Sequence, residues 1–227
     1  MQLRFIRKQH ENGNVWSFFF EPASPFSWKP GQFLYCSLKH NHMDNRGDHR
    51  YFTIASAPHE QTIRFTVRYF ETASSTFKQK MFSLEPGAGM DVYPPDGSFT
   101  IEDYSKKYLC IAGGIGITPF RSQCNNFNHE KAFPDLVLVY GSQTPDPIFS
   151  QEFDAYTKTY PRFNVLYRIA PQVINAEFIT GHVADYKERL LYVSGPEPMV
   201  KTIAPMLQTL GVPKRFIKTD YFPGYTI

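Results

Sequence analysis

Apolar and polar residues alternate in short runs through the first half of the chain, and the runs are separated by turn-forming residues. Residues 2–9 and 14–20 read as two strands joined by Glu11-Asn12-Gly13-Asn14, whose Asn-Gly pair favours a hairpin turn. A Pro/Ser-rich stretch (Pro22, Ser24, Pro25, Ser27) and the turn Lys29-Pro30-Gly31 precede a third strand, GQFLYCSL. Residues 40–49 are polar and read as a loop. Arg50–Ala55 and Thr62–Tyr69 are further strands, the latter alternating cleanly. Phe77, Met81 and Leu84 instead recur at helical spacing behind a Ser/Thr cap, and Pro86-Gly87 ends that helix. Met90–Tyr93 and Ser98–Ile101 are the last strands of this half. Short strands divided by turns predict an antiparallel barrel or sandwich. The polar break at Tyr104-Ser105-Lys106-Lys107 divides the chain into residues 1–103 and 104–227.

The pattern then changes to apolar runs alternating with amphipathic segments. Tyr108–Ala112 is a strand, and Gly113, Gly114 and Gly116 follow at once. Thr118 is placed as the helix N-cap and Pro119 at the first helical position. The helix runs to Asn128 with Phe120, Cys124 and Phe127 on one face. Asp135–Tyr140, nearly all apolar, is a strand buried on both faces. Phe149–Thr157 (helix), Phe163–Tyr167 (strand), Gly181–Glu188 (short helix), Leu190–Ser194 (strand), Met199–Leu210 (helix, interrupted by Pro205) and Arg215–Lys218 (strand) complete the order. This alternation predicts a parallel α/β sheet with right-handed crossovers. In such sheets ligands sit beyond the carboxyl ends of the strands, where Gly113–Thr118, Gly141–Thr144 and Ser194–Pro198 all fall. A glycine turn lets a backbone approach a pyrophosphate, and a helix N-terminus favours negative charge. The spacing is neither G-x-G-x-x-G nor a P-loop, so an ordinary tight strand-to-helix turn accounts for these glycines equally well.

Composition narrows the function classes. A net charge of +3 over 227 residues is too mild for a nucleic-acid footprint. The 21 Phe and 14 Tyr suit well-filled cores and a planar ligand alike. Cys36, Cys110 and Cys124 lie far apart and encode no cysteine-ligated zinc or iron–sulfur site. His40, His42 and His49 cluster in the polar loop with no defensible metal spacing, so no metal is expected. There is no apolar run of membrane-spanning length and no signal core, so the expectation is a cytoplasmic protein without membrane insertion.

Taken in order, these features resemble the ferredoxin–NADP reductase superfamily over essentially the whole chain, closest to single-chain flavin reductases and the reductase modules of oxygenases. The family's R-x-Y-S/T stretch reads Arg50-Tyr51-Phe52-Thr53 here, continuing to Ser56-Ala57-Pro58. Its phosphate-binding helix start is matched by Ser74-Ser75-Thr76, its nicotinamide-side turn by Gly113 to Arg121, its late C-G-P turn by Ser194-Gly195-Pro196, and its aromatic carboxyl end by Phe222-Pro223-Gly224-Tyr225. The fold implied is an N-terminal antiparallel Greek-key β-barrel with one short helix, holding flavin, followed by a Rossmann-like parallel α/β domain holding NAD(P)H.

The resemblance also implies roles. Arg50 offers a bidentate cationic fork for the flavin phosphates, and Ser74, Ser75 and Thr76 add neutral donors. Thr53 would lie beside the hydride-accepting nitrogen. Tyr51, Phe52, Ser56 and Val67 would line the flavin, with Phe52 lacking the hydroxyl of the family's tyrosine. Gly113, Gly114, Gly116, Thr118, Pro119, Gly195 and Pro196 would hold the nicotinamide side of the coenzyme. Gly141, Ser142 and Gln143 would lie near its adenine-side ribose. Ser194, in place of the family's cysteine, and Phe222 join Thr53 as catalytic candidates, and Tyr225 would cover the flavin or anchor the chain end. Gln143 stands where NADPH users commonly place arginine, which favours NADH, although Lys158, Arg162 or Arg168 could still reach a 2′-phosphate. The expectation is an oxidoreductase that uses FAD in preference to FMN and passes hydride from NADH or NADPH to it. Electrons then leave to a separate acceptor: a protein, a haem or a small molecule. A reductase of free flavin and a non-catalytic electron-transfer module are the alternatives.

Overall fold

The computed structural model describes residues 1–222 and divides into two compact units, Met1–Thr100 and Ile101 onward. In the first unit, strands β1 (Gln2–Asn12), β2 (Val15–Pro22), β3 (Phe33–Ser37), β4 (His49–Thr53), β5 (Ile63–Arg68) and β6 (Gly89–Val92) form one antiparallel sheet in the order β4-β3-β6-β1-β2-β5. The expected hairpin joins β1 to β2, with Asn12 opposite Val15 and Gly13 at a φ of 53°. That left-handed conformation is one glycine adopts without a Cβ clash. The sheet curls because the chain leaving β4 bonds to β5 at the opposite edge. Ala55 N donates to Arg64 O (2.8 Å), and Arg64 N donates to the Ser56 hydroxyl (3.0 Å).

Inward residues are almost all aromatic or branched: Phe5, Phe18, Phe20, Leu34, Phe52, Ile63, Phe65 and Val67 pack on Phe77 and Met81 of helix α1 (Thr76–Phe82). Burying each such side chain is worth about 1.5–3 kcal/mol, which makes this core the main stabilising term of the unit. Ser98–Ile101, expected as a strand, is irregular. Phe99, Thr100 and Ile101 are buried there outside the named strands, and an isolated bridge joins Phe33 to Asp96 nearby.

The second unit is a five-stranded parallel sheet, β11-β10-β7-β8-β9, built from β7 (Lys107–Gly113), β8 (Asp135–Ser142), β9 (Phe163–Ile169), β10 (Leu190–Pro196) and β11 (Ile217–Phe222). Helices α2 (Thr118–Glu130), α3 (Ser150–Thr159), α4 (Ala176–His182) and α5 (Glu197–Thr209) connect them. Leu109, Ile111, Val139, Leu191 and Val193 pack beneath Val200, Ile203 and Leu207 of α5. Because β7 is flanked by β8 on one side and β10 on the other, the strand order reverses between β7 and β10, which is where doubly wound sheets open a crevice.

Two expected elements shift. The short helix lies at 176–182 rather than 181–188. Asn175 caps it by accepting from Phe178 N (2.9 Å), and Phe178 and Ile179 give it a buried face. The last strand begins at Ile217, after a single 3₁₀ turn over Lys214–Phe216. Pro205 does not split α5, which runs unbroken from Glu197 to Thr209.

Candidate functional site

In the first unit the chemistry gathers where β4, the loop of residues 38–48 and the start of α1 meet. Arg50 is half-buried on β4 beside Phe77, its guanidinium carbon 5.3 Å from the ring centre. Its Nη1 donates to the loop carbonyls of Arg46 (2.8 Å) and Gly47 (3.1 Å). Its Nη2 is buried and makes no hydrogen bond; the nearest carboxylate oxygen, Asp44 Oδ1, is 3.5 Å away. Burial pulls Arg50 below the usual arginine range, and the Asp44 charge only partly restores it.

Asp44 is the hub of this corner. Its Oδ2 accepts from Arg46 Nη2 (2.7 Å) and from the α1 amide Thr76 N (3.1 Å), and its Oδ1 accepts from Arg46 N (3.0 Å). The Thr76 hydroxyl in turn accepts from Asp44 N (3.1 Å) and pairs with His40 Nε2 (2.9 Å). These bonds, Arg46 first, hold the Asp44 carboxyl down to about 2.

The structure therefore joins Arg50 and Thr76 through Asp44. Ser75 caps α1 by accepting from Lys78 N (3.3 Å). Ser74 faces elsewhere and accepts from Phe70 N (2.8 Å). Phe52 packs in the core against Phe65 and Phe77, at 5.2 and 5.7 Å between ring centres, and Val67 is buried with it. Ser56 closes the sheet by the bond to Arg64 N, and its carbonyl accepts from Trp28 Nε1 (3.1 Å). Thr53 is buried at the end of β4, opposite Phe33. Tyr51 points outward, 61% exposed, and stacks on Tyr35 with ring centres 4.4 Å apart. His40 and His49 are engaged by Leu38 O and the Asp48 carboxylate, and no group of metal-ligating side chains occurs among the described residues.

In the second unit three loops meet at the carboxyl edge of the sheet. Register sets Gly113 beside Gly141 and Ala112 beside Ser194. One of the glycines is required by the chain itself rather than leaving open space: a Cβ at Gly116 would lie 2.3 Å from the backbone Ser194 O, whereas one at Gly113 would meet only the flexible end of the Met199 side chain and Pro196. Gly114 is half-buried and takes a φ of 52°. Thr118 is not the N-cap. A 3₁₀ turn over Gly114–Ile117 runs directly into α2, so Ile117 takes the cap position and the Thr118 hydroxyl donates back to Ile115 O (3.1 Å). Pro119 lies in the first turn. With no side-chain cap and no acidic residue there, the positive end of α2 is left for an anion.

Beside the turn, the Ser194 hydroxyl is fully buried and has no well-formed hydrogen bond. It faces the carboxyl of Asp220, its register partner on β11. Burial pushes Asp220 up to about 6, partly offset by that hydroxyl. Gly195 and Pro196 continue β10 into α5. Ser142 accepts from Thr144 N (3.1 Å), which folds the loop that carries Gln143 into a tight turn. Arg162 sits at the opposite, amino edge, 4.0 Å from Asp135, and Lys158 is in the last turn of α3, which leads to that edge. Arg168, paired in register with Gly141, is at the carboxyl edge. It is held by Val173 O (3.3 Å) and Gln172 (2.9 Å), over the ring of Phe178 at 4.4 Å. Phe222 ends β11 opposite Pro196, with its side chain undescribed, and Tyr225 lies outside the described residues.

Asp44, Met199 and Asp220 escaped the sequence reading. Asp44 sits in a polar loop 32 residues from Thr76, with no local pattern to mark it. Asp220 follows from the register of a strand that was ended too early.

The residues present fit the implied groups. A buried arginine nitrogen without a hydrogen bond lies beside an amide and a second arginine that already hold an anion, and this donor set suits a flavin phosphate. The uncapped α2 terminus at the switch point suits a dinucleotide.

Residues 110–205 match the oxidoreductase NAD-binding domain family. A glycine betaine monooxygenase reductase subunit of Chromohalobacter salexigens is 28% identical over 92% of this chain and 60% of its own length. A flavohemoprotein of Halalkalibacterium halodurans is 24% identical over 95% of this chain and 58% of its own. The chain thus spans less than two thirds of these relatives. Among solved structures, the flavohem-like FAD/NAD-binding domain of nitric oxide dioxygenase from Vibrio cholerae superposes with a TM-score of 0.79 at 18% identity, covering 97% of this chain and 98% of that one.

Proposed function

We propose that the chain is an FAD-dependent NAD(P)H oxidoreductase of the ferredoxin–NADP reductase superfamily, supplying electrons to a separate acceptor. The observation that carries the reading is the pair of anion-suited corners, one on each unit: Arg50 with Thr76 on the first, and the uncapped α2 turn with Ser194 on the second. When bound, a flavin supplies a carrier that accepts hydride from a nicotinamide and releases electrons onward.

The protein's part is binding and positioning. Arg50 presents its unused Nη2 to the flavin phosphate, and Thr76 N adds a second donor. Thr53 offers a hydroxyl at the sheltered end of β4. Ile115 and Gly114 form the turn against which the coenzyme backbone lies, while Gly116 holds that turn tightly on Ser194. The Ser194 hydroxyl, lacking a good partner of its own, orients the nicotinamide end. Arg168 is the cation at the carboxyl edge able to meet a 2′-phosphate. Its guanidinium is already committed to Val173 and Gln172, so NADH is the preferred coenzyme.

The relatives named above belong to oxygenase and haem systems, which supports an acceptor carried by a partner of that redox class. The test is an absorbance spectrum of the FAD-incubated chain before and after anaerobic addition of NADH. Loss of the visible flavin band is expected. Persistence of the band with both NADH and NADPH would remove the enzyme reading and leave a binding module.

A further inference from the structure

Asp44 already holds part of the donor set assigned to the flavin phosphate, taking Thr76 N and leaving Arg50 Nη2 without a hydrogen bond. Its Oδ2 takes Thr76 N and Arg46 Nη2, and its Oδ1 takes Arg46 N and lies 3.5 Å from Arg50 Nη2. A carboxylate has two oxygens in one plane. It cannot also reach Arg50 at hydrogen-bond distance while bonding the helix amide and Arg46, so a buried guanidinium nitrogen stays unmade. The phosphate of FMN has three terminal oxygens in a tetrahedral array, and the pyrophosphate of FAD has four non-bridging oxygens over two phosphorus atoms, so either can meet all three groups.

The loop that carries Asp44 is not held by the carboxylate alone. The Asp44 N to Thr76 Oγ1 bond and the chain from Thr76 through His40 to Leu38 O also fasten it to α1. Two negative groups cannot share this corner without mutual repulsion, so either the carboxylate or the phosphate holds the donors.

We propose that Asp44 is a specificity-determining residue of the flavin site: an internal anion that competes with the flavin phosphate for Arg46, Arg50 and Thr76 N, and that is displaced when a phosphorylated flavin binds. The inference rests on the reading of the first unit as the flavin holder. It adds that affinity for the flavin is set against a built-in competitor, which makes the flavin exchangeable rather than permanently held. Riboflavin, which has no phosphate, does not have to displace Asp44.

The test is equilibrium titration of the full chain and its Asp44→Asn variant with FMN, FAD and riboflavin, followed by flavin fluorescence, together with thermal melting in the absence of flavin. Asparagine keeps an oxygen for Thr76 N and removes the charge. The variant is expected to bind FMN and FAD at least tenfold more tightly, to leave riboflavin affinity unchanged, and to melt lower when flavin-free. A tighter ligand site in a less stable protein is not what a purely structural residue would give. Asp44→Ser serves as the second variant should asparagine impair folding, with the same signs expected. Unchanged or weaker FMN binding, or equal tightening for FMN and riboflavin, overturns the proposal while leaving the flavin reading intact. Absence of any flavin binding by wild type and variants alike overturns the flavin reading, and the proposal with it.

Discussion

At the carboxyl edge of the parallel sheet, the tight contact is backbone on backbone, Gly116 against Ser194 and Gly195, with the Met199 side chain over Gly113. At the α1 corner of the antiparallel sheet, the contacts are made by long or charged side chains, Asp44, Arg46 and His40 from a loop and Arg50 from β4. The first arrangement is fixed before any ligand arrives, because a glycine turn locked between adjacent strands has no alternative packing. The second is a balance of charges that an incoming anion can tip. Fixed backbone suits the alignment of a reacting group, and a movable side-chain anion suits control of affinity.

The largest effect should come from breaking the rigid half. Gly116→Ala forces a Cβ to within 2.3 Å of a backbone oxygen, and a cost of about 3 kcal/mol is expected in denaturant unfolding. Gly181→Ala is the control. Nothing lies within 4 Å of its added methyl, so it should be neutral or stabilising by up to about 1 kcal/mol. Equal losses for the two would show that the close approach at Gly116 is not what holds the turn.

Asp220 sharpens the same half through pH. Its folded value is raised from 3.8 to about 6, so between these limits the folded protein binds more protons than the unfolded chain. Stability should therefore fall as pH rises through about 4 to 6. Asp220→Asn should flatten that slope and stabilise the protein near neutrality by about 1–2 kcal/mol, the full shift being discounted for the group's partial exposure. Melting temperature against pH for both proteins checks this, and parallel curves would contradict it.

A smaller effect is expected at Arg168. Arg168→Ala should lower the affinity for NADPH by roughly 1 kcal/mol and leave NADH unchanged, read by titration of each coenzyme. A matching loss for NADH would assign Arg168 to the shared adenosine rather than to the 2′-phosphate.

The same contrast explains what could be read from the chain. Strand, glycine turn and helix at Tyr108–Pro119 are contiguous, so periodicity and turn chemistry located both the parallel sheet and the three loops on its carboxyl edge. The hairpin at Asn12-Gly13 was legible for the same local reason. The cap at Thr118 was misplaced because a 3₁₀ turn, invisible to apolar spacing, absorbed the start of α2. Helix α4 was shifted because its signal is a cap at Asn175 followed by a buried pair, Phe178 and Ile179, in too short a segment to show a period. The Arg50 corner was legible in its arginine and its Ser/Thr helix start but not in Asp44, whose partners lie on a different element far along the chain. Ser56 lay in the Arg50–Pro58 stretch and Val67 in an expected strand, yet their surroundings, a sheet closure and an aromatic core, arise only once β4 and β5 curl together.

The central claim is that each unit holds its own anionic ligand by its own means. Binding of FMN and of ADP-ribose to the full chain and to Arg50→Ala, measured side by side by calorimetry, tests it most directly. Arg50→Ala is predicted to lose about 2 kcal/mol of FMN affinity, as expected for a charge-assisted contact, while ADP-ribose binds as before. Loss of both ligands together, or undiminished FMN binding, would contradict the account.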